Sequence, residues 1–462
     1  MSATGGPRRR VLVVTSDPLQ VKMAGPGIRA WHIAKTLGVE HDVKLRSTSG
    51  CSLSGEGFDA GATATAAEVR VLVEWADILV VHGDAVHAYP FIRDSGKILV
   101  ADLYDPFHLE QLEQTRRHDR PGRDHLIARA TAVIDELCLR GDFFLCASER
   151  QRAFWLGHLA ALGRVNVASY DADATLQTLF GIVPFGIPEQ PPVRRRRALK
   201  GNHPGIGPDD TVILWGGGIY EWFDPLTVIR SVGELAPTHP AIRLFFLGMR
   251  HPHPGVPEMP KARQARELAD ALGLTGSHVF FNDSWVDYAD RADYLLDADI
   301  GVSCHLESVE TEFSFRTRML DYLWAGLPMV ATRGDVFADL IEKHRLGATV
   351  APGDVRGFTE ALRRLIDDVQ YRRECRERTA AVADQYRWPA VLQPLVAFCR
   401  SPRRAPDLVD PLTARRLARA SRRVAREVEG WRRDLDVLTA HYQLGGLRRL
   451  AARVRRQITD RR

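Results

Sequence analysis

Residues 307–332 read Glu307-Ser-Val-Glu310-Thr-Glu312-Phe-Ser-Phe-Arg316-Thr-Arg318-Met-Leu-Asp321-Tyr-Leu-Trp-Ala-Gly326-Leu-Pro328-Met-Val-Ala-Thr332. Acids crowd the front of this stretch. Arg316 and Arg318 open a helical run that carries Asp321, and Gly326-Leu-Pro328 ends it before the short apolar segment Met329–Ala331. A helix that stops at Gly-x-Pro and passes into a buried strand is half of a βα repeat. Outward from it the unit recurs. Val212–Trp215, Leu244–Leu247, Val279–Phe281 and Ile300–Ser303 precede it, and Ala348–Val350 follows. A second series lies nearer the N-terminus: Val11–Thr15, Val43–Leu45, Ile78–His82, Ile98–Asp102, Phe143–Ala147 and Ile182–Phe185. Helix-length spacers between such strands predict largely parallel sheets, buried on both faces.

The texture breaks at 186–210. Gly186, Pro188, Pro191 and Pro192 precede the Arg194–Arg197 run, and Gly201, Pro204, Gly205, Gly207 and Pro208 follow it. That density of breakers predicts a linker between domains. The expected organisation is α/β: a Rossmann-like domain over 1–190, a linker over 191–210, a second Rossmann-like domain over 211–385, a closing helix over 386–400 and a basic amphipathic helical tail over 401–462. Two such domains face each other across a central cleft, and open parallel sheets bind ligands beyond the carboxyl ends of their strands.

Composition bounds the reading. With 45% apolar residues in 462, the chain holds enough hydrophobic mass for two or three domains. No apolar run nears the roughly 20 residues of a membrane span, and Met1–Arg10 has no apolar signal core, so a cytoplasmic protein is expected. Six scattered cysteines without a C-x-x-C pair read as reduced thiols. The net charge of +5 conceals an asymmetry: residues 401–462 hold 17 Arg, no Lys and 7 acids, net +10, which leaves the first 400 at −5. A mildly acidic body argues against a nucleic-acid binder. In the tail, residues 417–442 space apolar positions four and three apart, which fits packing on the body or a homodimer. Residues 447–462 form a short arginine-flanked apolar stripe suited to an anionic membrane surface.

Candidate chemistry gathers at strand ends. Gly25 and Gly27 follow the first strand, and Gly216, Gly217 and Gly218 follow Ile213–Trp215; bare backbone before a helix admits a phosphate. Arg250 follows the strand ending at Leu247. Asp102, Asp105 and His108 follow Ile98–Asp102 and are rival acid–base groups, with His305 as a second histidine. Arg150 sits behind Ser148, a helix cap. The Asp-Ala-Asp triplets at 171–173 and 297–299 read as element-boundary acids, and neither a metal nor another cofactor is expected.

The order of loop, acids, helix, Gly-Pro turn and strand across 307–332 resembles the retaining glycosyltransferases of the GT-B fold, family 4, and the resemblance extends over about residues 8–400. It implies that Glu312 accepts hydrogen bonds from hydroxyls of the donor sugar, with Glu310 as its rival, and that Asp321 binds the ribose diol of the nucleotide. Arg316 and Arg318 then supply positive charge for the diphosphate, because guanidinium forks and helix N–H groups stabilise oxygens where charge develops. With Gly25, Gly27, Gly217, Gly218 and Arg250 these form the expected donor site, and His108, Glu312 and Asp105 the expected catalytic set. The implied function is transfer of a sugar from a nucleotide-diphosphate donor to a glycan or lipid-linked acceptor, with retention, in cell-surface polysaccharide or glycolipid biosynthesis. The alternatives are a GT-B sugar-nucleotide epimerase and a non-catalytic nucleotide-sugar binding protein.

Overall fold

Buried apolar strands separated by helices assemble in the computed structural model into two wholly parallel sheets; residues 7–116, 119–249 and 258–426 are described. The first sheet contains β1 (Arg10–Thr15), β2 (Asp42–Ser47), β3 (Asp59–Ala62), β4 (Ile78–His82), β5 (Ile98–Asp102), β6 (Phe143–Cys146) and β7 (Phe180–Ile182), in the order β3-β2-β1-β4-β5-β6-β7. The second contains β8 (Thr211–Trp215), β9 (Ile242–Phe246), β10 (Val279–Phe281), β11 (Ile300–Ser303), β12 (Met329–Thr332) and β13 (Gly347–Val350), in the order β10-β9-β8-β11-β12-β13. Strand order reverses between β1 and β4 and between β8 and β11, which is where open α/β sheets leave a crevice. Two elements depart from expectation. The strand expected over 182–185 forms earlier, at Phe180–Ile182, and the edge strand Asp59-Ala-Gly-Ala62 carries no β-branched residue to announce it.

The chain does not leave the second domain for good. Ile187 bridges the returning chain at Arg387, donating its N–H to Tyr386 O (2.7 Å) and accepting at its carbonyl from Trp388 N (3.0 Å). The Gln393–Arg400 helix then lies on the first domain, with Phe398 stacked on Phe143 at 4.2 Å. Residues 411–426 are helical, and Leu417, Ser421 and Ala425 bury their stripe on the body. Asp407 anchors the segment by a fully buried pair with Arg164 at 2.5 and 3.0 Å. The expected dimer segment 417–442 is thus described only to residue 426, and the membrane stripe 447–462 lies outside the described residues. Among the described residues no helix is long and apolar enough to cross a membrane.

The linker is held by charge. Arg194 pairs with Asp297 and Lys200 with Asp299, while Asp293 accepts from the Arg195 backbone and Asp297 from those of Ala198 and Leu199. The second Asp-Ala-Asp triplet therefore fastens the crossing chain to the second domain.

Candidate active site

A cavity of about 450 Å3 opens between the carboxyl ends of the two sheets, and it is lined from both domains. In the second domain β8 ends at Trp215 and the backbone turns through Gly216–Gly218. Gly217 holds φ +109°, a conformation that selects glycine. The loop is pinned from below. Gly216 N donates to the Tyr322 hydroxyl (2.7 Å), which lies within donating distance of Leu214 O (2.9 Å) and Val302 O (2.8 Å). Tyr322 belongs to the Thr317–Ala325 helix, which Gly326 closes in the left-handed conformation, so helix and glycine loop are one rigid wall.

Arg316 and Arg318 stand at the start of that helix and line the cavity, but their circumstances differ. Arg316 makes a buried bidentate pair with Glu310, 2.7 and 2.6 Å. Burial opposes its charge, yet the Glu310 carboxylate outweighs that and raises the guanidinium above its ordinary value. Arg318 is 7% exposed and meets no carboxylate among the described residues. It donates to Gly218 O (2.7 Å), its Nη1 has no hydrogen-bond partner, and its charge rests over the Phe223 ring at 3.9 Å and Trp215 at 4.6 Å. Burial, with Arg316 nearby, pulls its pKa down to about 10. Asp321, one turn further on, lines the cavity and accepts from Arg291 Nε at 3.0 Å.

The one-turn Val309–Phe313 helix gives the rival acids different surroundings. Glu310 is 0% exposed and paired with Arg316, whereas Glu312 is exposed, and neither lines the cavity itself. Gly217 and Gly218 line it, and Arg250 lies outside the described residues.

From the first domain come Asp17, Gly25, Tyr104, Asp105 and Glu110. Gly27 stands just behind, its N–H given to Asp17 Oδ2 at 3.2 Å. Asp102 is engaged by Arg29 in a buried bidentate pair of 2.6 and 2.9 Å. Asp105 is free of that pair. Burial pushes it up to about 6, with Glu310 adding to the shift while His82 and a hydrogen bond with Glu110 oppose it. Glu110 is pushed well above the carboxylate range by burial and by Asp105. His108 packs between Phe154 and Trp155, both at 5.8 Å, away from the cavity lining, and burial with His158 lowers it to about 4. His305 is buried beside Asp335 at 3.5 Å and also lies off the lining.

The Glu149–Ala161 helix of the first domain reaches across. Arg150 donates to Gly334 O (2.8 Å) and Asp339 (2.5 Å); Gln151, fully buried, donates to Tyr104 O and to Phe313 O, both at 2.8 Å. Tyr104, Glu110, Arg291 and Gln151 were not among the residues expected from sequence. Their roles come from tertiary placement, and only the position of Tyr104 and Glu110 beside Asp105 was a local clue.

Solved structures share this architecture. Sucrose-phosphate synthase from Thermosynechococcus elongatus superposes with a TM-score of 0.61 at 13% identity, over 85% of this chain and 98% of that one. HepE of Anabaena, in complex with UDP and glucose, gives 0.59 at 13% over 85% and 100%. A trehalose-6-phosphate structure from E. coli, bound with UDP-2-fluoro glucose, gives 0.58 at 12% over 86% and 100%. The fold is GT-B. By sequence, residues 210–368 match the family described as Glycosyl transferases group 1, so the match falls on the domain that carries Arg316, Arg318 and Asp321. No curated protein matches the chain.

Proposed function

We propose that this GT-B chain is a glycosyltransferase that moves a sugar from a nucleoside diphosphate of the UDP class to an acceptor hydroxyl, with retention, in the building of a cell-surface glycan. Arg318 carries the reading. An unpaired buried cation costs several kcal/mol, and a site keeps one where an anion comes and goes. A diphosphate fits the place: the start of the Thr317–Ala325 helix, which no side chain caps, the bare backbone of Gly217 and Gly218 and the guanidinium converge on one corner of the cavity. When the glycosyl–phosphate bond breaks, the departing phosphate gains charge at that corner, where fixed donors stabilise it most. Asp321, held by Arg291, offers carboxylate oxygen to the ribose diol. UDP and UDP-2-fluoro glucose bound in neighbouring structures support the choice of nucleotide. Retention follows the resemblance of residues 307–332, and the glycan assignment is supported by likeness to WaaG, a glycosyltransferase involved in lipopolysaccharide biosynthesis.

The test is the affinity for UDP. UDP raises the Tm of the wild-type chain; Arg318→Gln weakens UDP binding at least about tenfold, the loss expected for a charge-assisted contact, while the ligand-free Tm stays level or rises. Unchanged UDP affinity in the variant would refute the assignment.

A further inference from the structure

The first-domain half of the cavity has a charge pattern that a diphosphate donor does not require. Its polar lining there is Asp17, Tyr104, Asp105, Glu110 and Gln114, and no Lys or Arg of the first domain lines it among the described residues. The nearby first-domain cations already have partners: Lys22 pairs with Asp287, Arg116 with Glu113, and Arg29 with Asp102, its guanidinium lying over the Tyr104 ring at 4.5 Å. Tyr104 points to a ligand independently of the acids. Its side chain is 6% exposed and lines the cavity, and its hydroxyl makes no hydrogen bond within the described protein. A buried phenol usually finds a partner, so one that faces a cavity without one is placed for a visiting polar group.

We propose that this half of the cleft selects an acceptor that bears a protonated amine beside its hydroxyls, an amino sugar or aminocyclitol, and turns away phosphorylated or carboxylated acceptors. The inference rests on the glycosyltransferase reading and adds the acceptor class. Its geometry is the two carboxyl groups of Asp105 and Glu110 on one wall of the cavity beside the open Tyr104 hydroxyl. An ammonium donates to both carboxyl groups and takes the place of the proton they would otherwise share, and Tyr104 meets a neighbouring hydroxyl. The groups that face the pair do not supply that cation. Glu310 adds negative charge from the second domain and Asp102 is paired with Arg29, while His82 favours a charged Asp105 and Arg316 a charged Glu110, the latter from within its own buried pair with Glu310. A phosphate here would meet Asp17, Asp105 and Glu110, and the cation that acts on Glu110 is already paired. A neutral polyol would leave the shared proton in place and gain hydrogen bonds alone.

The experiment is isothermal titration of the full chain, saturated with UDP, using glucosamine, glucose and glucose 6-phosphate at pH 7 in two buffers of different ionisation enthalpy. Glucosamine is expected to bind at least about tenfold tighter than glucose, with release of a proton to the buffer, and glucose 6-phosphate more weakly than either. Glu110→Gln, whose folding is read from its UDP-induced rise in Tm, should bring glucosamine and glucose within about twofold of each other. Equal binding of the two sugars by the wild type, tighter binding of the phosphate ester, or a preference that survives in Glu110→Gln overturns the inference. Should UDP itself fail to bind, the donor reading fails, and the same titrations without UDP still decide the acceptor class.

Discussion

Arg316 and Arg318 are two residues apart and equally hidden, yet removing them should have opposite consequences for the fold. Arg316→Met strands the Glu310 carboxylate, which is wholly buried, and should cost about 3–5 kcal/mol in urea denaturation. Arg318→Met removes a cation that no carboxylate balances and should leave stability level or improved. Asp105 gives a second residue-level test through pH. Its carboxyl is raised by burial to about 6, above the ordinary 3.8, so the fold favours the protonated form. That contribution is fully present below about pH 4 and is lost as pH rises through about 6. Measured against Asp105→Asn, the wild type should therefore lose on the order of 1–3 kcal/mol across that window, and a parallel pair of stability curves would show that Asp105 ionises freely. Asp105, Arg316 and Arg318 were legible in the sequence because each stands just beyond a strand or at a helix start, and Asp321 through the resemblance of residues 307–332. The sequence left Glu310 and Glu312 as rivals, for residues two apart on a helix point about 200° apart and nothing local fixes which side meets the body.

At the scale of elements, the central strands were legible because both faces are covered, which writes them as continuous apolar runs such as Ile78–Val81, and β2 showed through its alternating Val43 and Leu45; β3 was not legible, since an edge strand of Asp, Ala and Gly needs only its backbone to pair with β2. The glycine loop after β8 was visible as a motif, but its support was hidden in Tyr322, 106 residues from Gly216 and otherwise an ordinary core aromatic of the Thr317–Ala325 helix. Tyr322→Phe tests that support. It leaves the Gly216 N–H without its acceptor and the Leu214 and Val302 carbonyls without that donor, a loss of about 1–3 kcal/mol. Because the loop forms the diphosphate corner, UDP affinity should fall about three- to tenfold as well. A variant that loses stability and keeps full UDP affinity would mean that the loop holds its shape without the hydroxyl.

For the whole molecule, the proposed function needs the first-domain acids opposite the second-domain arginines, and the Glu149–Ala161 helix bridges the two. Gln151 spends both hydrogens of its side-chain amide on carbonyls from different domains: Tyr104 O, one residue before Asp105, and Phe313 O, which ends the helix that carries Glu310. Phe154 packs on Phe313 at 4.6 Å beside it. The Arg150–Asp339 pair is half exposed and contributes at most about 1 kcal/mol, so the buried glutamine is the stronger clasp. Gln151→Leu keeps the volume and removes both bonds. The ligand-free variant should show a larger radius of gyration in small-angle scattering than the wild type. UDP binding, whose proposed diphosphate and ribose contacts are on the second domain, should stay within about threefold, while the transfer kcat falls about tenfold or more and donor hydrolysis rises relative to transfer, because an open cleft admits water. Arg150→Ala should move the same quantities in the same direction by less. If Gln151→Leu kept the wild-type kcat and radius, the two halves of the site would be held in register by the Trp388 crossing and the linker acids instead.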